Sequence, residues 1–306
     1  MEPGLDGAPH TKTCGSSGRA RSWESAAQRD VRDAGRARVA VVVPAFNEER
    51  LIARTLRTLP SFVTHVVVVD DASSDRTAET ALALGDTRVE VIRHELNRGV
   101  GAAITTGYRV AFARGADVCA VMAGDAQMDP DDLRVLVAPV LRGELDYAKG
   151  DRLSYPHARR HMPLPRWLGN GLLSRVTQLA TGLPIRDSQC GYTALSRSAA
   201  AALPLEQLWP RYGYPNDLLG MLAERELRVG EIVVRPVYGD EVSGIGLRHA
   251  LVVVPYVLLR VLLRRLTRRA AASSQRLFDH LRAAASGLLA EPPRAEPLDN
   301  LEPDAE

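Results

Sequence analysis

The sequence predicts an α/β fold: a mostly parallel sheet flanked by helices, followed by a C-terminal amphipathic helix suited to an interface. Three observations carry this reading. Apolar, β-branched-rich runs at 39–43, 66–69 and 118–122 have the length of buried strands. Each ends in polar residues that could line one crevice: Pro44-Ala45-Phe46-Asn47-Glu48-Glu49, then Asp70-Asp71-Ala72-Ser73-Ser74-Asp75, then Gly124-Asp125-Ala126-Gln127. Helical patterns separate the runs, and that alternation is what parallel crossover connections require.

Taken in order, strands are expected at 39–43, 66–69, 89–92 and 118–122, alternating with helices at 48–59, 75–84, 99–114 and 131–142. Leu51, Ile52, Leu56 and Leu59 form an apolar stripe on the first helix, which Pro60 stops. Ser73 or Ser74 can cap the second. Beyond Tyr147 the pattern loosens around Pro156, Pro163 and Pro165. A helix near 166–180, a strand Tyr192–Leu195, a helix from about 215 to 226 and a strand Val229–Val234 complete the core. In residues 250–269 the apolar part is too short to cross a bilayer but is flanked by Arg248, Arg260, Arg264, Arg265, Arg268 and Arg269, which suits a peripheral helix. The domain reading is a disordered extension at 1–36, a catalytic domain at 37–247, a basic helical region at 248–287 and an acidic, disordered tail at 288–306.

The chain of 306 residues is long enough for one substantial core. Its net charge of +2 gives no case for nucleic acid, and with only Lys12 and Lys149 as lysines its basic residues are nearly all arginine. Cys14, Cys119 and Cys190 lie far apart without metal-ligand spacing and read as free thiols in a reducing compartment. Neither a signal segment nor a spanning helix is expected.

Asp125 is the leading chemical candidate, because a carboxylate at the C-terminal end of a buried strand is where an α/β sheet presents a metal and a phosphate. Asp70 to Asp75 also reads as a capped turn before a helix. Asp129 and Asp132 read as first-turn acids that favour the helix dipole.

Five ordered stretches resemble the family 2 glycosyltransferases of GT-A, Rossmann-like fold, and among them the dolichyl-phosphate mannose synthase-like, polyprenyl-phosphate branch. They are Val41 to Glu49, Val67 to Thr77, Asn97-Arg98-Gly99-Val100-Gly101-Ala102-Ala103, Gly124 to Pro130, and Asp187-Ser188-Gln189-Cys190-Gly191-Tyr192. The resemblance implies donor nucleotide contacts from Pro44, Phe46, Glu48, Asp70, Asp71, Gly124 and Asp125, and a Mg²⁺ or Mn²⁺ ion at Asp125 and Gln127. It implies that Arg152 and Arg166 hold an acceptor phosphate and that Asp187 and Gln189 close the pocket, with Tyr238 to Ile245 as a mobile segment over it. Two departures stand out: Ala123 replaces the first carboxylate of the usual Asp-x-Asp, and Val100 stands where relatives carry a lysine.

The implied activity is inverting transfer of a sugar from a UDP- or GDP-sugar to a polyprenyl phosphate, by a peripheral protein at the cytoplasmic, inner face of the cell membrane. Two alternatives stay open. One is a family 2 enzyme that glycosylates a soluble hydroxyl with Asp217 as general base. The other is a non-catalytic nucleotide-sugar-binding protein, motivated by Ala123 and Val100.

Overall fold

The computed structural model describes residues 37–156, 158, 162–237, 252–268, 270 and 274. The expected extension at 1–36, the segment Tyr238 to Ile245, Cys14 and the tail at 288–306 lie outside the described residues. Two compact units are distinguished, one ending at Leu262 and the other beginning at Leu263.

In the first unit the expected alternation forms a seven-stranded sheet. Strand β1 (Val39–Ala45) is followed by α1 (Ile52–Arg57), β2 (Val63–Asp70), α2 (Thr77–Leu82), β3 (Val89–Arg93), α3 (Val100–Ala113), β4 (Val118–Val121) and α4 (Leu133–Leu141). Then come β5 (Tyr147–Asp151), α5 (Leu164–Thr181), β6 (Thr193–Ser196), α6 (Arg197–Ala202), α7 (Tyr214–Glu224) and β7 (Val229–Val233). The sheet order is β3-β2-β1-β4-β6-β5-β7. All pairings are parallel except the two made by β6, which runs antiparallel between β4 and β5.

Side-chain alternation divides the core between the two sheet faces. Val39, Val41 and Val43 pack with Ile52 and Leu56 of α1 and with Leu133, Leu136 and Val137 of α4. Ala40 and Val42 pack on the other face with Ile104 and Tyr108 of α3 and Leu218, Leu219 and Leu222 of α7. Val66 to Val69 are wholly buried. At about 1.5–3 kcal/mol for each fully buried side chain of this size, these valines anchor the sheet centre.

Two expectations change here. The chain from Tyr147 to Asp151, where the pattern was expected to loosen, is a buried internal strand despite Lys149, Gly150 and Asp151. The helix expected at 48–59 is confined to Ile52–Arg57, because Asn47, Glu48 and Glu49 are drawn into bonds with the loop after β2.

A further helix, α8, covers residues 254–268. Up to Leu262 it belongs to the first unit, so the boundary expected at 247 gives way to packing. Val254, Leu258 and Val261 cluster with Ala180 of α5, and Val261 sits so close to Gly220 of α7 that a Cβ there would meet its Cγ1 at 2.7 Å. In the second unit, described residues 263–268 are helical and Leu263 and Leu266 are exposed. Among the described residues no helix is long and apolar enough to cross a membrane.

Candidate active site

Register brings the loops after β1, β2, β4 and β5 to one edge of the sheet: Ala45 lies opposite Asp70, Val42 opposite Val121, and antiparallel β6 begins with Thr193 opposite both Val121 and Lys149. Three non-glycine residues in these loops, Asn47, Ala72 and Ala126, have φ of 58°, 63° and 56°. Left-handed backbone costs such residues free energy and clusters at functional sites. The first two are stitched together. Asn47 N–H donates to Ser73 Oγ at 2.9 Å, Ser74 N–H to Asn47 Oδ1 at 2.9 Å, and Glu48 N–H to Thr77 Oγ1 at 2.8 Å.

A cleft of about 1450 Å³ opens at this edge. Phe46, Glu48, Asp125, Gln127, Arg152, Arg166 and Gln189 all line it, so seven of the sequence candidates come together. Asp125 accepts the Gln127 N–H at 3.1 Å. Burial raises its pKa, against the pull of that bond and of the Arg166 charge. Tyr212, half-exposed on the cleft wall, has its phenol raised by burial and then by the negative charges of Asp125 and Glu48.

The remaining candidates hold the frame. Pro44 and Gly124 are bonded to one another, Gly124 N–H to the Pro44 carbonyl at 3.2 Å. Asp70 is fully buried, accepting Ser73 N–H at 2.9 Å and pairing with Arg93 at 3.3 Å. Asp71 takes Arg98 N–H, Gly99 N–H and His94 Nδ1 at 2.9, 2.7 and 2.7 Å. Gly99 has a φ of +94°, and a Cβ on Gly101 would meet the Trp209 carbonyl at 2.2 Å, so this glycine motif serves close approach to the 209–211 segment. Val100 lines the cleft and Arg98 is exposed.

Asp187 is fully buried and forms a two-pronged pair with Arg152, Oδ2 to Nε at 2.8 Å and Oδ1 to Nη2 at 3.0 Å. Asp217 is fully buried too and does not border the cleft. Its Oδ2 accepts the Trp209 N–H at 2.8 Å and faces Arg260 of α8 at 3.7 Å. A general base must reach the proton it removes, whereas Asp217 lies off the cleft, bonded to the Trp209 N–H.

The sequence reading missed the apolar half of the cleft. Leu172, Leu173, Val176, Leu179 and Ala180 of α5 face Val254, Pro255, Leu258, Leu259 and Leu262 of α8 across it. Helix α5 is inverted for a surface helix. Leu164, Leu168, Leu172, Val176 and Leu179 are exposed, whereas Ser174, Thr177 and Thr181 are buried. The buried hydroxyls are satisfied by carbonyls one turn back, at 2.8–2.9 Å, and Thr177 also reaches Asn216 Oδ1 at 3.0 Å. The signal was present as leucines four apart from residue 164, but α5 turns that face outward.

Among the described residues no three acidic, histidine or cysteine side chains group as a metal cage. Asp125 and Gln127, both on the cleft, offer carboxylate and amide oxygens of the kind a hard cation takes together with phosphate and water.

The mostly parallel seven-stranded sheet flanked by helices, with Asp125 on a turn at its carboxyl edge, has the GT-A fold. The chain belongs to glycosyl transferase family 2, whose model matches residues 40–203, and is a glycosyltransferase. It is 30% identical over 215 residues to a UDP-N-acetylglucosamine–dolichyl-phosphate N-acetylglucosaminyltransferase of Methanococcus voltae, spanning 65% of this chain and 86% of that one. It is 28% identical to a polyprenol monophosphomannose synthase of Mycolicibacterium smegmatis, over 70% of this chain and 84% of that protein. The fold is similar to glucosyl-3-phosphoglycerate synthase of Mycobacterium tuberculosis solved with Mn²⁺, UDP and phosphoglyceric acid. That match has a TM-score of 0.58 and 21% identity, and covers 77% of this chain and 82% of the other.

Proposed function

We propose that this protein transfers a sugar from a nucleoside diphosphate sugar to a polyprenyl phosphate, with inversion, as a peripheral protein at the inner face of the cell membrane. The observation that carries the proposal is the two-sided cleft. Its polar end gathers Asp125, Gln127, Arg152 and Arg166, and its other end runs into the apolar groove between α5 and α8. An anion with a long hydrocarbon chain matches both ends at once, and the relatives named above carry dolichyl or polyprenol acceptors in their names.

The outward leucine face of α5 supports contact with lipid, since apolar surface of this extent is costly in water. So do Val252, Tyr256 and Leu259, exposed on and beside α8.

In the proposed reaction the donor nucleoside lies over the loops after β1 and β2, beside Phe46 and Glu48. Asp125 and Gln127 would hold a Mg²⁺ or Mn²⁺ ion, which when bound offsets charge on the leaving diphosphate. Arg152 and Arg166 hold the acceptor phosphate, whose oxygen attacks the anomeric carbon. A phosphate oxygen is already anionic, so no general base is needed, in keeping with the burial of Asp217.

The test is purified protein with labelled UDP- and GDP-sugars, a short polyprenyl phosphate and Mn²⁺ or Mg²⁺, read as label entering the organic phase. Transfer from one donor is expected. Demonstrable donor binding without lipid labelling would overturn the acceptor assignment.

A further inference from the structure

Behind Arg152 lies a buried set of charges that neither donor nor acceptor need touch. Lys149 is wholly closed to solvent, and its Nζ donates to the Cys190 carbonyl. Glu231 of β7 accepts the Arg186 and Asp187 N–H groups at 2.7 and 2.8 Å. Asp187 is saturated: Oδ2 takes the Arg152 N–H and Nε, and Oδ1 takes Arg152 Nη2 and the Gln189 N–H. The local charges are therefore Lys149 and Arg152 against Asp187, Glu231 and the buried Asp151, a set with one more carboxylate than cation on the parallel pair β5 and β7 and the turn before β6.

The Arg152 guanidinium is planar, so a carboxylate on its Nε–Nη2 edge fixes the plane of the whole group, and Arg152 borders the cleft. Arg166, by contrast, reaches the cleft from α5, and its charge falls on Asp125. One arginine is locked to the sheet and the other rides on the helix with the leucine face.

We infer that Asp187 and Lys149 are positioning residues for the acceptor phosphate: Asp187 fixes the Arg152 guanidinium, and Lys149 offsets the paired carboxylates so that Arg152 keeps its attraction for an anion. This deepens the proposed acceptor reading and rests on it. Lys149 carries a second, independent consequence. Removing its charge makes the set one unit more negative beside the phosphate, while the pair between Asp187 and Arg152 stays in place.

The experiment uses the full chain and measures binding of a short polyprenyl phosphate by calorimetry, binding of UDP, acceptor KM, kcat and the melting temperature. Asp187→Asn should weaken acceptor binding and raise acceptor KM by on the order of tenfold, leaving the UDP affinity within about twofold. In a double-mutant cycle, Asp187→Asn should add little once Arg152 is alanine. Lys149→Met, close in volume, should fold and lower acceptor affinity several-fold with UDP binding unchanged, and so covers the case in which Asp187→Asn does not fold.

Additive effects in the cycle, or equal loss of UDP and acceptor binding in Lys149→Met, would overturn the positioning role while the wild-type reaction stands. Wild-type protein that binds UDP but neither binds nor uses polyprenyl phosphate would overturn the acceptor reading and this inference together.

Discussion

The Asp71 carboxylate closes on the Gly99 N–H at 2.7 Å, at the point where the chain enters α3. With the Arg98 N–H and His94 Nδ1 on its other oxygen, this aspartate in the loop after β2 ties down the turn that leads into α3. Asp71→Ala would strand two main-chain donors and a buried histidine. Unfolding in urea should show a loss of about 2–4 kcal/mol, more than an ordinary cap deletion. Wild-type stability in this variant would remove the bracing role.

Asp125 stands on the opposite footing, since it borders the cleft and accepts a local turn bond from the Gln127 N–H. Asp125→Ala should reduce transfer on the order of a thousandfold, in the range seen when a key electrostatic group is deleted, with the melting temperature nearly unchanged. Retained turnover would mean that the donor diphosphate is held without it.

Burial raises the Asp125 pKa above the ordinary aspartate value of 3.8. As pH falls, this carboxyl takes a proton before an ordinary aspartate would, so activity should fail early on the acid side. A divalent ion competes with that proton, and raising Mn²⁺ should move the acid limb of the kcat/KM profile to lower pH. A limb that ignores Mn²⁺ would place the metal elsewhere.

At Asp187 the sign is reversed. Burial alone would raise its pKa, but the charge and hydrogen bonds of Arg152 prevail and hold it below 3.8. The stability this pair confers is complete above the unfolded value and disappears as pH drops through the folded one. Acid unfolding below about pH 4 should therefore lose part of its steepness in Asp187→Asn.

Leu168 and Leu172 are exposed on α5. Replacing both with aspartate should leave the melting temperature in buffer unchanged or slightly higher. The same change should release the protein from anionic vesicles in a flotation assay, and unaltered flotation would take α5 out of the lipid contact.

Strands β1, β2 and β4 were legible because they carry apolar, valine-rich runs, and burial on both faces leaves that signature. Strand β5 was hidden because its polar residues are paired inside the protein, Lys149 with the Cys190 carbonyl and with the charges around Asp187. The cleft candidates Phe46, Glu48, Asp125, Gln127, Arg152, Arg166 and Gln189 were legible from motif order. Asp70, Asp71 and Asp217 could not be told apart from them, because a carboxylate at a strand end or helix start serves equally as cap or contact. Their partners Arg93, Gly99, Trp209 and Arg260 become neighbours only through the fold. The outward face of α5 was not legible, since leucines four apart specify a stripe without saying which way it faces.

Strand β6 also bears on how the chain assembles. It sits between β4 and β5, both of which precede it, and it is paired with each. During synthesis the apolar strand β4 must therefore wait, one edge without a hydrogen-bonded neighbour, until the ribosome has delivered residues 193–196. Such an unpaired edge invites association with other chains. Refolding from denaturant should accordingly be slow and concentration-sensitive, and a fragment that stops before Thr193 should aggregate.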